Sequence, residues 1–291
     1  MKLKSEVVNK IILKKSFISL FFVFVIYLSY SNVLDTVAED YTEAGIERSL
    51  ITFAISRSLN GVISVAQGTE VALSPAGVGL TFAPGQILDP VNDLIERFSW
   101  VVMVSGASLG IQRLFLEITS SMFINVVLTI LVLLCILNMW GVFAKFNIQY
   151  IPASIINKSL VLLVFIRFSI PVIALINEGL YLSYLQPQFE EAQTKLENAS
   201  SQIEQINESS RKKVDVDDEG LLNQVGQWMD QTKQSLDIEQ KMNSLKQAAS
   251  DMSHQVVNLI VVFVVQTIIF PLLFLWLMIQ GAKGVIRNIS V

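Results

Sequence analysis

The chain has 291 residues, a net charge of −4, and 52% apolar residues against only 16% charged ones. A soluble domain carries about 25% charged residues, and the acidic balance leaves no basic face for a nucleic-acid partner. Cys135 is the single cysteine, which excludes an internal disulfide or a cysteine metal cluster.

The charges are distributed unevenly. They nearly vanish over 16–32, 120–144, 159–185 and 256–280. Each block is near the roughly 20 residues that cross a hydrocarbon core of about 30 Å. The sequence therefore predicts an all-α membrane protein with about four transmembrane helices, at 16–34, 119–144, 159–185 and 255–280.

In chain order, 1–15 is a basic N-terminus with Lys2, Lys4, Lys10, Lys14 and Lys15. A basic run before a short apolar run also describes a secretory signal. No small-x-small cleavage site follows in Ser31-Asn32-Val33-Leu34-Asp35, so an uncleaved anchor is expected. The segment 35–118 is expected to be extracytoplasmic. Thr36 and Glu39 have capping-box spacing for a helix over 37–66. Two short apolar runs around Ser74-Pro75-Ala76-Gly77 predict a β-hairpin over 69–82. Asp89-Pro90 opens an amphipathic helix over 90–118, with Asp as the cap and Pro at its first position. No obvious breaker separates that helix from the second span.

Gly106-Ala107-Ser108-Leu109-Gly110 lies inside it. As Gly-x-x-x-Gly, Gly106 and Gly110 form a helix-packing surface that lets two backbones approach closely. As Gly-x-Ser-x-Gly, Ser108 would be a hydrolase nucleophile, which requires a preceding strand and a histidine partner. The only histidine is His254, and the residues before Ser108 read as helix, so packing is the stronger reading.

After the second span, 145–158 is a short loop with Lys145 and Lys158. The third span contains Arg167, Pro171, Asn177 and Glu178. A charge in a span costs about 2.5–3.5 kcal/mol on insertion scales. Arg167 and Glu178 share a helix face about 16 Å apart along the axis, too far to pair. Arg167, Asn177 and Glu178 are thus a candidate intramembrane polar site. The plainer reading has Arg167 snorkelling to the cytoplasm and Glu178 meeting water near the outer end. Asn125, Asn138, Asn258 and Gln266 are candidate interhelical hydrogen-bonding groups.

From Leu185 the pattern changes. Leu185, Phe189, Ala192, Leu196, Ala199, Ile203 and Ile206 step alternately by four and three, an a/d seam. A charged turn region follows, ending at Gly220. The chain returns through Met242, Leu245, Ala249 and Met252 at the same spacing. The segment 186–254 is therefore expected to be a long antiparallel coiled-coil hairpin, continuous with the third and fourth spans. Seam patterning does not say whether its partner is the same chain or another copy. The chain closes with a basic tail, 281–291.

The segments 1–15, 145–158 and 281–291 hold nine basic residues and one acid; 31–118 and 187–254 hold 11 basic residues and 23 acids. Lys and Arg in short loops stay inside, so both termini are expected in the cytoplasm, with a bacterial inner membrane as the setting. No phosphate loop, paired metal ligands or dinucleotide fingerprint occurs, so no cofactor is expected. The reading that remains is a non-enzymatic envelope scaffold or interaction protein, whose partners are the lipid bilayer and a protein or second copy met through the coiled coil. The alternative is an oligomeric channel or small-solute permease with Arg167 and Glu178 along a polar path. A membrane hydrolase using Ser108 is a distant third.

Overall fold

The computed structural model describes residues 2–68, 71–73, 80–82, 84–142, 152–214 and 226–289. These are almost entirely helical. In chain order they form α1 (Lys2–Tyr30), α2 (Val33–Gln67), strands β1 (Val71–Leu73) and β2 (Leu80–Phe82), a 3-10 turn (Pro84–Leu88) and α3 (Asp89–Thr119). Then follow α4 (Met122–Met139), α5 (Ala153–Leu180), a π turn (Tyr181–Leu185), α6 (Gln186–Val214), α7 (Gly226–Val264), a second π turn (Val265–Ile269) and α8 (Phe270–Ile289). β1 and β2 pair antiparallel, with Ala72 opposite Thr81. The turn expected between them, the loop 145–150 and the tip of the expected hairpin (215–225) lie outside the described residues.

Among the described residues, six helical stretches are long and apolar enough to cross a membrane. Four have mean hydropathies of 2.1 to 2.6 and overlap the four expected spans, Asn9–Tyr30 and Met122–Met139 covering only part of 16–34 and 119–144. The other two, Val33–Gln67 and Gln86–Thr119, reach only 1.3 and 1.4. Their apolar residues share the helix with charged ones such as Glu39, Glu43, Glu47, Arg97 and Arg113, so the sequence assigned them outside the bilayer.

Two boundaries differ from the sequence expectation. The first helix of the segment 35–118 starts at Val33, before the expected cap. Asn32 adopts φ 54°, a left-handed conformation that asparagine tolerates, and this ends α1. Thr36 is already helical, and its Oγ1 donates to the Asn32 carbonyl at 3.0 Å. The possible single helix from Pro90 into the second span is broken at Ser120–Ser121. There the Ser120 hydroxyl donates to the Glu117 carbonyl at 3.3 Å and Thr119 Oγ1 to the Leu116 carbonyl at 3.2 Å. Hydroxyls that bond nearby backbone groups offer the chain an alternative to helix.

The chain divides into two compact units. The first comprises Met1–Ile46, Ala107–Leu180 and Gln266–Val291. In it α4 packs against α1 and α5, and α5 against α8. One apolar cluster joins Val25, Leu128, Val132, Cys135, Ile156 and Leu160, and a second joins Ala38, Tyr41, Leu109, Leu116 and Ala174. Long apolar side chains such as Phe17, Phe21, Phe24, Leu133 and Trp276 point outward. An outward apolar surface over a buried core is what a bilayer solvates and water does not.

The second unit comprises Glu47–Gly106 and Tyr181–Val265. Here α6 and α7 pack together. Phe189 meets Phe263 edge-on at 5.9 Å, and Gln202 and Ile206 line one cleft with Ser244 and Asp251. As numbering rises on α6 it falls on α7, so the two run antiparallel within one chain. Leu185, Phe189, Ala192, Leu196, Ala199 and Ile203 are buried, as are Leu245, Ala249 and Met252; Ile206 and Met242 are half-buried. Exposed positions carry pairs at helical spacing, such as Lys195 with Glu191 at 2.5 Å. The Lys195 ammonium holds the Glu191 carboxyl below the usual carboxylate range.

Also in the second unit, α2 and α3 approach closely where Ser49 faces Gly106. A Cβ added at Gly106 would lie 3.1 Å from Ser49 Cβ, whereas one added at Gly110 would meet nothing within 4 Å. Only the first glycine of the pair is at a close helix contact. Gly106→Leu should therefore push the helices apart and cost about 1–3 kcal/mol, the usual overpacking range. Gly110→Ala should leave thermal unfolding in detergent unchanged. Equal melting temperatures for the two variants would remove Gly106 from the packing.

Candidate functional site

Arg167 lies on α5, in the first unit, and is 1% exposed. Its guanidinium meets the Asp35 carboxylate with both terminal nitrogens: Nη1 donates to Oδ1 at 2.8 Å and Nη2 to Oδ2 at 2.5 Å. Nη2 also donates to the Ser29 carbonyl at 2.9 Å, and Nε to Asn125 Oδ1 at 2.9 Å and Ser29 Oγ at 3.2 Å. The Ser29 hydroxyl itself donates to Asn125 Oδ1 at 2.6 Å, and Asn125 Nδ2 donates to the Ser120 carbonyl at 3.2 Å.

Local sequence explains why these groups converge. Ser29 is in the last turn of α1, where helix carbonyls lack intrahelical donors and carry the negative end of the dipole. Asp35 is in the first turn of α2. Arg167 therefore bridges the break at Asn32 from both sides. Asn125, in the first turn of α4, does the same for the break at Ser120–Ser121. Pro171 stands four residues after Arg167 and has no N–H for the Arg167 carbonyl.

Arg167 does not snorkel. Asp35 is 3% exposed, so a full counter-charge awaits it inside the protein. That partner was hidden in the sequence because Asp35 falls at the edge of the first span and is 132 residues from Arg167. A lone Arg in an apolar block calls for an acid of matching burial, and Asp35, at an apolar boundary, was the residue to examine.

The other members of the expected polar site do not join this network. Glu178 is half-buried and makes no ion pair among the described residues. Asn177 is completely buried, and neither its Oδ1 nor its Nδ2 meets a protein partner. Of the other amides singled out, Gln266 is 3% exposed, with Nε2 unpaired.

Ser108 is in the middle of α3 and not at a strand-to-helix turn. Its hydroxyl donates to the Thr267 carbonyl at 3.1 Å, and Gln112 Nε2 donates to it at 3.5 Å. It ties α3 to the second π turn, which is a packing role. His254 is exposed and belongs to the second unit. Cys135 is buried, and its thiol donates to Asn157 Oδ1 at 3.3 Å. Among the described residues, no three His, Cys, Asp or Glu side chains group as metal ligands would. Comparison with family models, curated proteins and solved structures found no match.

The geometry of Arg167 is that of a lock. Removing one partner of a buried pair leaves an uncompensated charge and costs about 3–5 kcal/mol. Arg167→Leu and Asp35→Asn should each lower the melting temperature of the detergent-solubilised protein strongly. Arg167→Lys should restore only part, because an ammonium cannot reproduce the two-pronged pairing. An unchanged melting temperature in Arg167→Leu would show that the pair does not hold the helices.

Proposed function

We propose that this is a multi-pass protein of a bacterial inner membrane with both termini in the cytoplasm. It acts as a non-enzymatic envelope scaffold that presents the α6–α7 hairpin to a protein partner outside the membrane. The observation that carries this reading is the hairpin's sealed seam. Among the described side chains, Phe189, Ala192, Leu196, Ala199 and Ile203 of α6 and Leu245, Ala249 and Met252 of α7 are buried, while Gln, Glu, Ser and Lys such as Gln202, Glu204, Ser244 and Lys246 are exposed. An open cleft lined by Gln202, Gln205, Ile206, Ser244, Gln247, Ala248 and Asp251 runs along the pair. A hairpin that closes on itself is free to meet a different molecule, and the cleft's neutral amides suit a polar protein surface. The Arg167 lock supplies what a scaffold needs in its membrane part, helices joined by a buried ion pair.

Replacing 186–254 by a short linker should abolish crosslinks between the protein and its partners in cells, while the membrane part still assembles. Crosslinks that survive the deletion would end the scaffold reading. Reporter fusions test the orientation. Fusions near Lys145 and Val291 should report cytoplasm, and one near Asp217 the opposite side; an extracytoplasmic signal at Lys145 reverses it.

One observation favours the second reading, an oligomeric channel or permease. α2 is apolar enough to cross a membrane, yet Glu39, Glu43 and Glu47 recur every four residues on one exposed face. Glu43 is paired with Arg113 at 3.3 Å; Glu39 and Glu47 inside a bilayer would need water, which a ring of copies would enclose. The buried Arg167, committed to Asp35, would not line that path; the α2 stripe and the half-buried Glu178 would. Glu39→Gln with Glu47→Gln should then change cation flux into reconstituted vesicles. Flux equal to that of empty vesicles, before and after substitution, would dismiss the channel.

A further inference from the structure

We propose that the first unit holds ordered water in its interior, bound by the side-chain amides of Asn177 and Gln266 beside α3. Both groups are almost wholly buried, and no protein atom meets Asn177 Oδ1, Asn177 Nδ2 or Gln266 Nε2. Buried polar side chains in proteins are nearly always hydrogen-bonded, to protein or to ordered water. Two such amides on packed elements are a site and not an accident of one rotamer.

Their placement converges through α3. Ser108 bonds the Thr267 carbonyl, next in the chain to Gln266. The adjacent Leu109 packs in one cluster with Ala174, which lies one helical turn before Asn177 and on the same face. α5, which carries Asn177, packs against α8, and the π turn holding Gln266 leads directly into α8. Each amide is also beside a π turn. Asn177 precedes Tyr181–Leu185 by one helical turn, and Gln266 is within Val265–Ile269. π turns widen a helix and recur at functional sites.

The chemistry selects the occupant. An amide offers donors and an acceptor together, which fits a neutral molecule that both gives and takes hydrogen bonds. Arg167 is ten residues from Asn177, about 15 Å of helix rise, and its guanidinium is committed to Asp35. Water meets the requirement and is the usual bridge between otherwise unsatisfied buried polar groups.

The test uses the full chain in lipid vesicles with nitrogen-15 in its Asn and Gln side chains. Solid-state NMR then reads magnetisation passing from water to each amide at short mixing times. The amide signal lost in Asn177→Leu should receive it in the parent protein, and Asn177→Leu should melt several degrees lower in detergent. Asn177→Ser, which keeps a donor and an acceptor, should melt near the parent. Should Asn177→Leu fail to assemble, Asn177→Ser identifies the signal instead. An Asn177 amide that receives nothing from water, or an Asn177→Leu protein that melts higher than its parent, would show a dry core and overturn the proposal.

Discussion

The ion pair between Arg167 and Asp35 is the constraint on which the first unit depends. A charge among apolar helices is tolerated only when a counter-charge and hydrogen-bond partners accompany it. Arg167 has both, and the partners are drawn from the two places where the helical ladder fails. The end of α1, the start of α2 and the start of α4 all present backbone or side-chain groups that need a partner. A single guanidinium, with its fan of N–H donors, answers them together. Helix breaks that would otherwise be weak points become the places where four helices are joined.

The second unit is held by different means. Its longest contact is the α6–α7 seam, closed by small and medium apolar residues at alternating steps of four and three. Where α2 meets α3, the close approach rests on Gly106 opposite Ser49. On the α3–α7 side, Phe98 meets Phe263 at 6.3 Å. No ion pair is buried there among the described residues; the pair Lys195–Glu191 is exposed, where such a pair contributes about 0–1 kcal/mol. Apolar burial therefore carries that unit, whereas a polar knot organises the other.

This contrast bears on function. Arg167 is bound to Asp35, Ser29 and Asn125, and Ser108 is in mid-helix with its hydroxyl on the Thr267 carbonyl. Of the residues that first suggested chemistry, Arg167 and Ser108 bond across helices. What stays open to other molecules is the polar outer surface of α6–α7 and the acidic stripe of α2, and these are the surfaces on which the two functional readings rest.

The sequence alone determined the helical character and the positions of the most apolar stretches. Each follows from a local quantity, composition or periodicity, that a window of about twenty residues contains. Arg167 was visible as an anomaly for the same reason. Its partner was not, since Asp35, Ser29 and Asn125 are brought to it from distant parts of the chain. The breaks at Asn32 and Ser120–Ser121 were equally hidden, because asparagine and serine permit a break without requiring one. Only the tertiary structure decided that the charge is clamped and not exposed, that Gly106 and not Gly110 is at a close contact, and that Asn177 is sealed from protein partners. These are matters of which faces meet, and a face acquires its neighbours only when the whole chain has folded.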